Sequence, residues 1–273
     1  MEVILGKTAG FCFGITNAVT KAEDELRKNK KTYCLGELAN NTQVMDKLKN
    51  SGLIVIQSIA EALRDSTVII RAHGEPPETY IKAKEKNINL IDLTCPKVLK
   101  IHRMIKEYVE KGYFIIITGD ENHPETIGHK GYAEGNCIVI NDIEDKDINI
   151  PEKNVLIVSQ TTFSSEKFDK IIENIKQNLE VKKTICSATE MRQQETKEIS
   201  KQVELMIIIG GKKSSNTKEL YKIAMQNAPE AICIETMEEL NKNKIKKYNK
   251  VGIMAGASTP ENIIKEVVDG ISK

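Results

Sequence analysis

The sequence has no tryptophan, and aromatic residues make up only 4% of its 273 positions. A core built from such a chain must be aliphatic, filled by Ile, Val, Leu and Met rather than by rings. Charge of one dominant sign is also missing: 40 basic residues against 39 acidic ones leave a formal net charge of +1. No bulk field draws the molecule to nucleic acid or to a membrane surface, so any anion it binds must be met by a local site. No hydrophobic run approaches the roughly 20 residues that cross a bilayer. The N-terminus, MEVILGKTAG, carries Glu2 ahead of a short apolar run and does not read as a secretory signal. These absences predict a cytoplasmic globular protein with neither a nucleic-acid nor a membrane partner.

Neither G-x-x-x-x-G-K-[ST] nor G-x-G-x-x-G occurs, which leaves out a P-loop and a dinucleotide fingerprint. The six cysteines include no pair at the short spacing of a structural zinc site. In a reducing compartment they do not read as three disulfides either. Cys34 in TYCLGE, Cys137 in NCIVIN and Cys233 in AICIET lie on or beside apolar runs, where a thiol acts as a small core hydrophobe. Cys12 in AGFCFG, Cys95 in DLTCPK and Cys186 in TICSAT are different. They sit where an apolar run gives way to Gly, Pro, Ser or Thr, in the loop that leaves a strand.

What is present is an alternation of short β-branched runs with stretches of helical period, the pattern of a parallel α/β protein. After Cys12, GITNAVTKAEDELRK places Ile15, Ala18, Val19, Ala22 and Leu26 on one helical face. After Cys95, KVLKIHRMIKEYVEKG places Val98, Ile101, Ile105 and Val109 on one stripe and stops at Gly112. After Cys186 comes the charged helix EMRQQETKEISKQVEL and then the strand LMIIIGG. The three cysteines divide the chain almost evenly, which predicts three similar αβ domains with small parallel sheets: 1–95 with an N-terminal cluster-ligand segment, 96–186, and 187–273. Ligands of open parallel sheets gather at the carboxyl ends of strands, where three strand-exit cysteines could meet at one centre. Three thiolates so far apart in sequence suit a 4Fe-4S cluster better than zinc, and leave one iron without a protein ligand. Such an iron can act as a Lewis acid and pass electrons.

Polar residues also collect at strand exits. The strand TVIIRAHG delivers His73 ahead of Gly74 and the pair Pro76-Pro77; a histidine there can equally be an ordinary hydrogen-bonded residue. YFIIITGD runs into ENHPETIG, where Pro124 fits the first helical position, His123 precedes it and Glu125 lies in the first turn. That pattern is also plain helix-start chemistry. NVLIVSQ ends in Thr161-Thr162. LMIIIGG leads through Lys212-Lys213 into Ser214-Ser215-Asn216-Thr217, a helix start whose free N–H groups suit an anion. KVGIMAGA gives Ser258-Thr259-Pro260-Glu261, which also satisfies a capping box. Two such helix starts plus two histidines predict a diphosphate pocket.

In the order AGFCFG, RAHG, DLTCP, TGDENHPE, SQTT, TICSAT, GGKKSSNT and AGASTP, the chain resembles the 4-hydroxy-3-methylbut-2-enyl diphosphate reductases, the LytB (IspH) family, over essentially its whole length. The resemblance implies three αβ domains in a pseudo-threefold arrangement around a central iron-sulfur cluster. It implies Cys12, Cys95 and Cys186 as ligands of a 4Fe-4S cluster with one open iron, which would take the substrate hydroxyl. Glu125 would be the proton source and Thr161 its hydrogen-bonded neighbour. His73, His123, Ser214, Ser215, Asn216 and Ser258 would hold the diphosphate. The implied reaction is a two-electron reductive dehydroxylation giving isopentenyl and dimethylallyl diphosphates, with ferredoxin or flavodoxin as electron donor. Burial beside a diphosphate would raise the pKa of Glu125. One departure touches the site: where the family pattern has a histidine, this chain reads Gly36-Glu37-Leu38-Ala39-Asn40-Asn41. Asn40 can donate a hydrogen bond but cannot become cationic. The alternatives are a cluster-dependent hydratase or dehydratase, distinguished by electron demand, and a non-catalytic allylic-diphosphate-binding paralogue.

Overall fold

The computed structural model describes residues 1–28, 32–142, 150–151, 154–175 and 179–272. Its strands form three sheets of four, every pairing parallel. The first sheet has the order β1 (Glu2–Leu5), β12 (Lys250–Ala255), β10 (Leu205–Ile209), β11 (Glu230–Ile234). The second runs β5 (Asn89–Asp92), β4 (Thr67–Ile70), β2 (Thr32–Leu35), β3 (Leu53–Ile56). The third runs β9 (Leu179–Val181), β8 (Val155–Ser159), β6 (Phe114–Thr118), β7 (Cys137–Ile140). The helices are α1 (Phe13–Lys28), α2 (Thr42–Asn50), α3 (Pro77–Glu85), α4 (Pro96–Glu110) and α5 (Pro124–Tyr132), followed by α6 (Ser165–Asn174), α7 (Ser187–Ser200), α8 (Ser215–Asn227), α9 (Lys242–Ile245) and α10 (Glu261–Ser272).

Each sheet repeats one plan. An edge strand (β1, β5 or β9) leads to one of Cys12, Cys95 and Cys186, and the helix α1, α4 or α7 begins at the next residue. The neighbouring strand (β12, β4 or β8) accepts a hydrogen bond from that cysteine just past its own end. Cys12 N–H donates to the Ala257 carbonyl at 3.1 Å, Cys95 N–H to Ala72 at 3.0 Å, and Cys186 N–H to Thr161 at 2.9 Å. The repeat is complete only when β1, from the opposite end of the chain, is counted with β10 to β12.

The inner strands are buried on both faces, and so read as continuous apolar runs rather than as alternating ones. In β6, Ile116 packs with Val155, Ile157, Phe168 and Ile171 on one face, while Ile115 and Ile117 meet Ile101 and Ile105 of α4 on the other. In the first sheet Ile207, Ile253 and Val267 of α10 share one cluster, and Met206, Ile208, Ile199 of α7 and Leu220 of α8 share another. Each such side chain contributes about 1.5–3 kcal/mol by leaving water. The helical stripes fall as expected: Ile15, Ala18, Ala22 and Leu26 are buried, as are Val98, Ile101 and Ile105, with Val19 and Val109 partly exposed.

The chain forms two compact units. One comprises Met1–Thr16, Ala39–Lys47 and Ser187–Lys273, and carries the first sheet; the other comprises Asn17–Leu38 and Leu48–Cys186, and carries the second and third. Among the described residues no helix is long and apolar enough to cross a membrane.

Candidate active site

All six cysteines are free thiols. Cys34 is fully buried on β2, and burial pushes its thiol up to about 12 although the Arg71 charge opposes the shift. Cys137 and Cys233 lie on the outer strands β7 and β11 and are raised by burial as well. They are half-buried rather than core residues. Cys12, Cys95 and Cys186 are partly exposed, and each immediately precedes a helix, where free N–H groups and the helix dipole suit the negative charge of a metal thiolate. The ammonium of Lys97, on α4 two residues after Cys95, lies 3.1 Å from Cys186 Sγ. By position ahead of helix starts and by donor chemistry these three thiols fit a metal cluster, whereas Cys34, Cys137 and Cys233 lie within strands. Cys12 belongs to one unit, Cys95 and Cys186 to the other. Among the described residues no three His, Cys, Asp or Glu side chains are grouped as a metal site in themselves.

In the second unit a chain of contacts joins Cys95 to Cys186. Cys95 is tied to Ala72, and the next residue, His73, meets His123 edge to face with centroids 5.2 Å apart. His123 caps α5: its Nδ1 accepts the Glu125 N–H at 3.2 Å, and Pro124 occupies the first helical position. Accepting at Nδ1 leaves the proton of a neutral His123 on Nε2, where it can be donated to a ligand. The Glu125 carboxylate in turn accepts the Thr161 N–H at 2.6 Å and the Thr161 hydroxyl at 2.7 Å. Thr161 closes the chain by accepting the Cys186 N–H.

Electrostatics divides these groups sharply. Burial and the neighbouring His123 push His73 down to about 3, and burial lowers His123 too, so both rings are neutral donors before any anion arrives. Glu125 is 1% exposed. Burial works to raise its pKa, but the His129 ring 3.4 Å away, with help from His123 and the Thr161 donors, holds it at about 2. Its pKa is thus lowered in the free protein, whereas the rise expected of it was one beside a bound diphosphate. The donors around the carboxylate stabilise its charged form by more than desolvation penalises it.

In the first unit the strand exits carry the remaining polar residues. Ser214 caps α8 by accepting the Thr217 N–H, and Ser215 starts the helix. Asn216 is 3% exposed, and neither its amide nitrogen nor its oxygen has a hydrogen-bond partner among the described residues. A buried amide left unpaired at a helix N-terminus points to an anionic ligand. Gly210, at φ 153°, brings the end of β10 against the helix start; a Cβ there would lie 2.6 Å from Thr217 Oγ1 and 2.9 Å from Thr259 Oγ1. Ser258 donates to the Asn40 carbonyl at 3.2 Å, and Gly211 packs against the same carbonyl, where a Cβ would sit 2.2 Å from the oxygen. The loop bearing Asn40 thus lies at the exits of β10 and β12. The capping box suggested by Ser258 and Glu261 is not formed that way, because α10 begins at Glu261 itself.

The approach to Cys12 is held by Arg192 and Glu195 of α7, a helix visible in the sequence whose contacts to this segment were not. Glu195 accepts the backbone N–H groups of Lys7 and Thr8 at 2.7 and 2.9 Å, and Arg192 donates to the Gly10 carbonyl at 2.7 Å. His102 and His129 were also missed. His129 lies one helical turn beyond Glu125, a spacing that could have flagged it.

A parallel α/β protein that carries free thiols and neutral imidazoles at its strand exits, with a buried carboxylate on an adjoining helix, belongs to the class of α/β enzymes that place their sites at the carboxyl ends of strands. The profile of the LytB protein family matches residues 3–272, and the chain belongs to that family. A 4-hydroxy-3-methylbut-2-enyl diphosphate reductase of Clostridioides difficile (strain 630) is 43% identical over 275 residues, covering 98% of each chain. A solved structure of the E-1-hydroxy-2-methyl-but-2-enyl-4-diphosphate reductase from Plasmodium falciparum is similar with a TM-score of 0.95 and 30% identity, covering 100% of this chain and 88% of that one. A second, of (E)-4-hydroxy-3-methyl-but-2-enyl diphosphate reductase, described as the terminal enzyme of the non-mevalonate pathway, has a TM-score of 0.72 and 39% identity, covering 100% and 99%.

Proposed function

We propose that this protein reduces 4-hydroxy-3-methylbut-2-enyl diphosphate to isopentenyl and dimethylallyl diphosphates in the cytoplasm. Two electrons and two protons enter, the C–O bond breaks, and the hydroxyl leaves as water. Family membership supports this assignment, and the buried Glu125–Thr161 pair beside the Cys186 backbone carries it at the level of chemistry. Cys12, Cys95 and Cys186 would hold a 4Fe-4S cluster. When bound, that cluster supplies the electrons and, at the iron without a protein ligand, a Lewis acid for the substrate hydroxyl.

The chain's own residues do the rest. Ser214, Ser215, Asn216 and Ser258 offer short polar groups at helix starts to the diphosphate, with Asn40 at the neighbouring loop. His73 and His123 offer ring N–H donors, and the arriving negative charge raises their affinity for protons. Thr161 orients the Glu125 carboxyl by donating to both of its oxygens, and Glu125 delivers a proton to the departing oxygen. Hydroxide is a poor leaving group, so this proton transfer lowers the barrier directly.

Anaerobically purified protein, assayed for bound iron and supplied with the hydroxylated diphosphate and reduced ferredoxin, flavodoxin or a chemical donor, tests the assignment. Donor oxidation in step with both products is expected. Product formed without donor consumption would identify a hydratase or dehydratase, and anion binding without product a non-catalytic paralogue. Asn40 supplies a second test. Asn40→His places a chargeable donor near Ser258 and should lower KM for the diphosphate roughly tenfold, the scale of one charge-assisted hydrogen bond. An unaltered or raised KM would remove Asn40 from diphosphate binding.

A further inference from the structure

Glu125 has a second buried neighbour that the proposed chemistry leaves unused. His129 Nε2 lies 3.4 Å from Glu125 Oε1, and the two side chains are 0% and 2% exposed. That separation is close enough for the two side chains to share a proton, while by hydrogen-bond geometry neither ring nitrogen of His129 has a partner among the described residues. His102, 1% exposed on α4, meets the His129 ring edge to face at 5.2 Å and stacks on Tyr132 at 4.2 Å, and its nitrogens are likewise unpaired. Buried polar rings with so few hydrogen bonds pack no better than apolar residues would, which asks for a role beyond packing.

We propose that His129 is a positioning residue that shares one proton with Glu125 and reloads it during turnover. This rests on the reductase assignment. At rest the couple holds one proton across the 3.4 Å Nε2–Oε1 contact, with Glu125 as the carboxylate. When the anionic substrate binds, the proton moves from Nε2 to Oε1, leaving a neutral imidazole beside a neutral carboxyl. The carboxyl then gives its proton to the departing hydroxyl oxygen, water is released, and one proton from solvent restores the couple. No electrons move in this step.

The surrounding groups agree with that division. His102, on α4, is pushed down to about 3 by burial and by His129, so it does not compete for the proton. Tyr132, on α5, is raised by burial and by Asp92 and stays a neutral phenol. His123, the cap of α5, and His73, at the exit of β4, are neutral donors. The charges of Arg71 and Asp120 act on His123 in opposite directions. Only His129 forms an ion pair with Glu125 among the described residues.

Removing His129 leaves burial as the dominant influence on Glu125, so the carboxyl should hold its own proton in the substrate-free protein. Infrared spectra of His129→Gln at neutral pH are expected to show a protonated carboxyl band that the wild type lacks and that disappears in the double variant with Glu125→Gln. A first turnover should still occur, while steady-state kcat falls about tenfold or more with KM nearly unchanged and the pH profile of kcat displaced. His129→Asn repeats the measurements should the Gln variant fold poorly. Absence of the carboxyl band in both variants, or a kcat pH profile that superimposes on that of the wild type, would overturn the proposal. The infrared comparison needs no substrate. A wild type that forms no product therefore defeats the reductase assignment, whereas an unchanged spectrum defeats the proton-sharing couple.

Discussion

Replacing any one of Cys12, Cys95 and Cys186 by Ala is expected to strip bound iron from anaerobically purified protein and reduce turnover to background. Cys137→Ala and Cys233→Ala should keep both. The contrast follows from position rather than from residue type. Three of the thiols stand immediately ahead of helices, and each backbone is fastened to a neighbouring strand exit. Cys137 and Cys233 lie within the outer strands β7 and β11, paired with the inner strands β6 and β10, and burial raises their thiols. Cys34→Ala tests packing alone: the site is fully buried on β2, so the variant should lose stability by about 1 kcal/mol and retain iron. Full iron content and activity in any of the first three variants would remove that thiol from the cluster.

Glu125→Gln is expected to retain iron and lower kcat about 10²- to 10⁴-fold, the range that a positioned general acid supplies. The amide keeps one acceptor oxygen for the Thr161 N–H, and its NH2 can donate to the Thr161 hydroxyl, so the loop that also holds the Cys186 backbone stays in place. What is lost is the ability to carry a transferable proton. Glu125→Ala is a harsher change, because it leaves both Thr161 donors buried without an acceptor. Parallel iron assays and steady-state rates separate the two effects, and an unchanged rate in Glu125→Gln would remove Glu125 from the mechanism.

Much of this organisation was visible in residue order. The stripes of α1 and α4 followed from apolar spacing, the start of α5 from His123-Pro124-Glu125, and the start of α8 from Ser214. The placing of Cys12, Cys95 and Cys186 between a strand and a helix followed from what flanks each one, whereas of the three expected core thiols only Cys34 is buried. Misreadings arose where a local rule met a tertiary partner. Ser258 sat at capping-box spacing from Glu261, yet its hydroxyl is turned to the Asn40 carbonyl, more than two hundred residues away. For Glu125 the expected rise belonged to burial beside a diphosphate, and nothing local disclosed that His129 and Thr161 would lower its pKa in the free protein.

By itself the sequence determined the aliphatic parallel α/β character, the three strand-exit cysteines, the helix starts and the family, because each rests on short-range spacing or on ordered motifs. Tertiary structure alone decided that β1 completes the sheet of β10 to β12, that each of those cysteines is tethered to a neighbouring strand exit, and that a buried carboxylate is held charged by an imidazole one turn away. Strand pairing and burial depend on which distant segments come into contact, and a carboxyl's proton affinity is the balance of lost water against gained donors. Neither quantity exists until the chain has folded.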